Sequence, residues 1–275
     1  MPFQLAFATP DFSVIKNQAK LSDDTYLPAS TLEHRLNEQG QSLVHQSLMP
    51  LSQVSYFLSR ANGVQTIAIR GTANLENAML DLDLELRPDS ILDIKLHQGF
   101  GSGAKAVYED IKPFLTKDQP IQLTGHSLGG AIAVILAMYL QNDGYSVKQV
   151  ITFGQPKVTN VTGAKKFEDL PLTRVVTSND IVPLVPPISP MQIKDLDIFW
   201  HMGEEIILMN KGEFAQTNGV KAMLRATKFT TSIPSEKNLQ AHKMATYLSL
   251  IEQLQASAKE TNYKTEISIF GFSFD

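Results

Sequence analysis

The stretch that decides the fold is Ile121-Gln-Leu-Thr-Gly125-His126-Ser127-Leu128-Gly129-Gly130, followed by the apolar run Ala131-Ile-Ala-Val-Ile-Leu-Ala-Met-Tyr-Leu140. Ile121–Thr124 has the composition of a short buried strand, and the run after Gly129 is long enough for a helix, predicted over 129–141. Between them lies Gly-x-Ser-x-Gly. A serine on so tight a strand-to-helix turn is forced into strained backbone angles, and only glycine neighbours leave it room. The turn also sets the serine at the positive end of the helix that follows, with the Leu128 N–H available to a developing negative oxygen. A glycine-rich turn can carry an idle serine, so the motif gains its meaning from the strand and helix around it.

Working outward, Gln149–Phe153 and Thr173–Thr177 read as further strands, and 102–117 reads as an amphipathic helix. Strands alternating with helices imply right-handed βαβ units and a largely parallel sheet, whose carboxyl ends gather ligands. Upstream, Gln53–Ser59 and Val64–Arg70 flank Asn62-Gly63, the signature of a hairpin. Helical material extends from about residue 11 to Gln41. Pro183 to Pro190 is a loop, 210–236 is ambiguous, a helix of about 16 residues starts near Ala241, and the tail from Glu266 reads as a strand or an adhesive end.

Composition narrows the function. With 275 residues, 43% hydrophobic and 19% charged, the chain is expected to form one domain over 1–275, because no repeat or polar linker divides it. The net charge of −4 and the scatter of Lys and Arg argue against a nucleic-acid partner. Zero cysteines exclude disulfides and thiolate metal sites, and no other ligand spacing calls for a metal or a cofactor. The first residues lack the basic and apolar regions of a signal peptide, and the run 131–140 is too short to cross a bilayer. Oligomeric state is not read from these patterns.

At this point the sequence resembles the class 3 lipases, the filamentous-fungal type of the α/β-hydrolase superfamily. The resemblance is carried by blocks in the family's order: Ile69-Arg-Gly-Thr72, His97-Gln-Gly-Phe100, Thr124–Gly130, Thr152-Phe-Gly-Gln-Pro156 and Asn179-Asp-Ile-Val-Pro183. His201-Met-Gly-Glu-Glu205 and His242, ahead of a late helix, follow. What it implies is a mostly parallel sheet with helices on both faces and a short helical lid. It also implies an ester hydrolase using a Ser-His-Asp triad, and it leans toward a secreted protein.

Six histidines could serve as the base: His34, His45, His97, His126, His201 and His242. The fold keeps the order Ser, acid, His, which leaves His201 and His242. His201 is the more conspicuous, but the resemblance places the base by the late helix and so selects His242. It assigns the nucleophile to Ser127 and the acid to Asp180, while Asp180 taken alone could equally be a turn residue. His126 is expected to pack rather than carry protons. The resemblance adds Thr72 to Leu128 as oxyanion donor and implies that Asp81 holds the Thr72 hydroxyl.

Residues 74–86 match the family's lid, with Leu75, Ala78, Met79 and Leu82 spaced as one apolar helical face. Ala78 stands where the fungal enzymes often carry tryptophan, which weakens the expectation of strong interfacial activation. The function so read is a triacylglycerol lipase acting on lipid esters at an oil–water or membrane interface. A phospholipase A1 or short-chain esterase of the same family is the nearer alternative. A non-catalytic binding module of the same fold is the more distant one.

Overall fold

The computed structural model describes residues 9–49, 54–72, 85–187, 192, 197–218, 235–263, 267–269 and 272–274. The expected lid therefore lies outside the described residues except at its last positions, and Asp81 lies outside them altogether.

The chain opens with α1 (Phe12–Asp24), capped by Asp11, whose carboxylate accepts from the Ser13 and Val14 N–H groups at 2.9 and 3.1 Å. α2 (Ala29–Glu38) follows, then β1 (Ser42–Leu48), β2 (Ser55–Ala61) and β3 (Val64–Ile69). The Asn-Gly pair makes the β2–β3 turn as expected: both residues sit at positive φ, 50° and 73°. The strand β1 has no counterpart in the sequence reading.

β4 (Leu86–Asp89) and β5 (Ile94–His97) lead into α3 (Gln98–Ile111). That helix starts four residues earlier than expected, because the His97 ring accepts from the Phe100 N–H and caps it. Then come β6 (Ile121–His126), α4 (Leu128–Asn142), β7 (Val147–Phe153), β8 (Thr159–Asn160), α5 (Val161–Lys166) and β9 (Leu172–Thr177). β10 (Phe199–Trp200), β11 (Glu204–Leu208) and β12 (Glu213–Asn218) precede α6 (Glu236–His242) and α7 (Met244–Ala256). The single late helix expected from Ala241 is thus two helices broken at Lys243, whose backbone is extended (φ −67°, ψ 139°). β13 (Lys259–Glu260) and a tail hairpin of β14 (Ile267–Ile269) and β15 (Phe272–Phe274) complete the described chain.

Nine of these strands form one sheet in the order β1-β2-β3-β6-β7-β9-β11-β12-β13, and the pairings from β3 to β11 are parallel. This is the mostly parallel α/β-hydrolase architecture that the sequence implied. Helices cover both faces for a reason visible in β7: Val150 packs toward α3 and α4, and its neighbours Ile151 and Phe153 toward α1 and α7. α4 is buried on every side from Gly129 to Leu140, which accounts for a run with no polar face. The registers bring Ile69, Gly125 and Thr152 level across three strands, so the loops after β3, β6 and β7 emerge side by side at the carboxyl edge. Among the described residues no helix is long and apolar enough to cross a membrane.

Candidate active site

Ser127 occupies the turn between β6 and α4 with φ 58° and ψ −128°, a region that side chains rarely adopt. Its N–H is held by the Phe153 carbonyl at 2.8 Å. The flanking glycines are required by space as well as by strain. A Cβ on Gly129 would lie 2.2 Å from the Ile69 carbonyl oxygen, and one on Gly125 would lie 2.5 Å from the Gly129 backbone. Leu128 is the first residue of α4, so its N–H has no partner within the helix and points with the positive end of the helix dipole.

Asp180 lies three residues beyond the end of β9, and His242 closes α6. They are 62 residues apart in sequence, and the His242 Nδ1–H donates to Asp180 Oδ2 at 2.8 Å. A carboxylate can only accept, so the proton sits on Nδ1 and leaves a lone pair on Nε2. Asp180 is 1% and His242 2% exposed. Burial alone would raise the Asp180 pKa. The neighbouring His242, its hydrogen bond, the Tyr247 hydroxyl and the Val182 N–H outweigh that and hold it below the usual carboxylate value. Tyr247, on the first turns of α7, donates to the same Oδ2 at 2.5 Å, and the Val182 N–H donates to Oδ1 at 2.9 Å. His242 Nε2 is buried and has no hydrogen-bond partner among the described residues.

The pair packs against Gly154, the residue after Phe153, whose carbonyl accepts the Ser127 N–H. Gly154 has φ +59°, and a Cβ there would lie 2.7 Å from both Asp180 Oδ2 and His242 Cε1. Gly71 also approaches the serine: its virtual Cβ falls 3.3 Å from Ser127 Cβ, and Thr72 is the next residue in the chain. Thr72 is half-buried.

The other histidines are engaged elsewhere. His201 is buried and its Nε2–H donates to the Pro183 carbonyl at 2.7 Å, bracing the loop that follows Asp180. His45 stacks on Phe114, His97 stacks on Phe100, and His34 is an exposed neighbour of Glu38. His126 lies against His242 with ring centroids 4.4 Å apart and bonds to its main-chain oxygen at 2.7 Å. Burial, then the charge of His242, push its pKa down to about 3, so it stays neutral and packs, as the sequence reading expected. Among the described residues no group of His, Asp and Glu is arranged to hold a metal ion.

Two contributors escaped the sequence reading. Tyr247 follows His242 by five residues, but nothing in a helix sequence announces which tyrosine meets a buried carboxylate. Gly154 stood inside a quoted block, yet its tight fit shows only once β7 and α6 are placed together.

Comparisons with known proteins place the chain's similarity among lipases. Residues 66–189 match the model of the family described as lipase (class 3). A lipase from Rhizopus niveus is 32% identical over 154 residues, which is 50% of this chain and 39% of the relative. Phospholipase A1-II 1 from Oryza sativa subsp. indica is 31% identical over 155 residues, 45% of this chain and 39% of the relative. The matched stretches thus span about two fifths of those curated relatives' length. The crystal structure of a lipase from Rhizopus microsporus var. chinensis superimposes with a TM-score of 0.61 and 25% identity, covering 72% of this chain and 74% of that one. The sheet order and the strained serine turn accompany a chain that, over residues 66–189, is similar to the class 3 lipases and that has the α/β-hydrolase fold of the solved fungal lipase.

Proposed function

We propose that this chain is a serine carboxylic ester hydrolase that acts on lipid esters, with triacylglycerols as the preferred class. The observation that carries this is the lone pair of His242 Nε2: buried, unpartnered, and backed at Nδ1 by a carboxylate held ionised. Such an arrangement suits one task, the removal of a proton from a nearby hydroxyl.

In the proposed reaction Ser127 Oγ attacks the ester carbonyl carbon as His242 takes its proton. Asp180 steadies the imidazolium, and the carbonyl oxygen, now negative, is met by the Leu128 N–H and by the N–H and hydroxyl of Thr72. His242 then returns the proton to the departing alcohol, leaving Ser127 acylated. Water deprotonated by His242 attacks the acyl-enzyme, and the fatty acid leaves. Each step stays within acyl transfer and draws on no cofactor. We place Asp81 behind the Thr72 hydroxyl and an amphipathic lid over about 74–86, by resemblance to the family, and read 1–275 as one hydrolase domain working at an oil–water or membrane interface.

A phospholipase A1 is the second reading, favoured by the likeness to the rice protein. Purified protein is assayed for fatty acid release from triolein emulsion and from phosphatidylcholine vesicles, beside Ser127→Ala. Release from triolein that vanishes in Ser127→Ala is expected. Release from the vesicles alone moves the substrate to phospholipids, and activity surviving in Ser127→Ala refutes the hydrolase reading.

A further inference from the structure

Ser127, Thr72 and His242 sit on separate segments at the ends of different elements, and their relative placement has to be fixed by something other than the sheet. Tyr26, in the corner between α1 and α2 and outside the family-matched residues 66–189, touches the first two of these segments and reaches the third through His126. Its hydroxyl lies 3.1 Å from His126 Nδ1, and the Gly71 backbone packs against the same oxygen, where an added Cβ would lie 2.6 Å away. On the far side of the same ring, His126 Nε2 lies 2.7 Å from the His242 carbonyl.

The direction of these bonds follows from their chemistry. A carbonyl oxygen only accepts, so Nε2 carries the His126 proton. A neutral imidazole has one proton, so Nδ1 is an acceptor and the Tyr26 hydroxyl must donate to it. One chain results, Tyr26 O–H to His126 and His126 N–H to the His242 carbonyl, each bond polarising the next, with the Gly71 backbone packed against the tyrosine oxygen.

Both ends of the chain meet a need. α6 ends at His242, so that carbonyl is among those the helix cannot pair internally. At the other end, a Cβ on Gly71 would lie 2.6 Å from the Tyr26 oxygen and 2.5 Å from the His126 carbonyl oxygen, so only glycine admits the contact. The Arg70 guanidinium over the Tyr26 ring, 5.3 Å from its centroid, holds the tyrosine from above.

We propose that Tyr26 is a positioning residue for ester hydrolysis, tying the Gly71–Thr72 loop through His126 to the main chain of His242. Asp180 and Tyr247 orient the His242 ring, while the Tyr26 chain sets where its backbone stands relative to the oxyanion loop. This rests on Ser127, Asp180 and His242 being the catalytic groups.

The test is Tyr26→Phe, which removes one oxygen, with kcat normalised to sites titrated by a fluorophosphonate. A fall in kcat of about tenfold at unchanged KM is expected, since sub-ångström misplacement of reacting groups is costly. His126→Leu falls similarly, and His126→Gln, whose amide N–H can still meet the His242 carbonyl, recovers most of the loss. Because the chain is serial, Tyr26→Phe added to His126→Leu costs nothing further. In the ¹⁵N NMR of labelled histidine, the His126 Nδ1 resonance shifts in Tyr26→Phe whether or not the protein is active. A wild-type kcat per titrated site in Tyr26→Phe, or losses that multiply in the double variant, overturns the positioning role. A wild-type protein inert to esters and fluorophosphonate, with the Nδ1 shift intact, instead overturns the catalytic reading on which that role depends.

Discussion

Gly154→Ala separates backbone strain from site geometry. The added Cβ would stand 2.7 Å from Asp180 Oδ2, 2.7 Å from His242 Cε1 and 2.8 Å from His242 Nδ1, where ordinary contact begins at 3.4 Å. The Asp180–His242 pair must therefore retreat by about 0.7 Å, and its 2.8 Å hydrogen bond lies across the clash. Alanine at φ +59° adds roughly 1–2 kcal/mol of left-handed strain. A misplacement approaching 1 Å lowers a rate by about 10²-fold. Gly144→Ala supplies the control, because Gly144 has φ +79° with nothing within 4 Å of its virtual Cβ. Both variants should lose similar stability from strain in a thermal melt, and Gly154→Ala somewhat more. Only Gly154→Ala should lose about 10²-fold in kcat for p-nitrophenyl butyrate. If folded Gly154→Ala keeps kcat within twofold of the parent, the placement of Gly154 against the pair is refuted as a determinant of activity.

Three further outcomes follow from the same site. His242→Ala should lower kcat by several orders of magnitude while His201→Ala, which breaks the brace to the Pro183 carbonyl, stays within about tenfold; the reverse order in a steady-state assay would make His201 the base. Tyr247→Phe removes a hydrogen bond to an ionised carboxylate, worth about 1.5–3 kcal/mol, and should lower both the melting temperature and kcat; an unchanged melt would show that the 2.5 Å contact contributes nothing. Acid stability should reveal His126: the folded protein keeps it neutral down to about pH 3, whereas the unfolded chain binds a proton below about pH 6.5. The unfolded state thus holds more protons across that window, so stability is full above pH 6.5 and falls on acidification, by up to about 1.4 kcal/mol per pH unit from this group. Urea unfolding between pH 6.5 and 4.5 should have a shallower pH dependence in His126→Gln, and an identical slope would remove His126 as the cause.

Much of this molecule could be read from its residues in order. Gly125, Ser127, Gly129 and the apolar run to Leu140 settle a strand, a strained turn and a buried helix, because backbone sterics and hydrophobic periodicity act within a few residues. Asn62-Gly63 settles its hairpin by the same local logic. The order Ser127, Asp180, His242 could be proposed because motifs survive as linear strings. The sequence did not yield the strand β1, the break at Lys243, or the reason His242 rather than His201 meets Asp180. A break that puts His242 at the end of α6 is set by the Ser235–Asn238 capping box and by α7 docking on the sheet, and the second of these is a long-range contact.

What the sequence determined by itself, then, is the class of fold and the strained serine turn that carries the candidate nucleophile, since both depend on interactions between near neighbours. The tertiary structure alone decided which side chains surround that serine. Tyr26, Gly71, Gly154 and Tyr247 come from four distant segments, and their roles rest on packing distances of a few ångströms at the carboxyl edge of one sheet. Side-chain chemistry names the candidates, but only the closing of α1, α6 and α7 around the strand ends determines which of them touch.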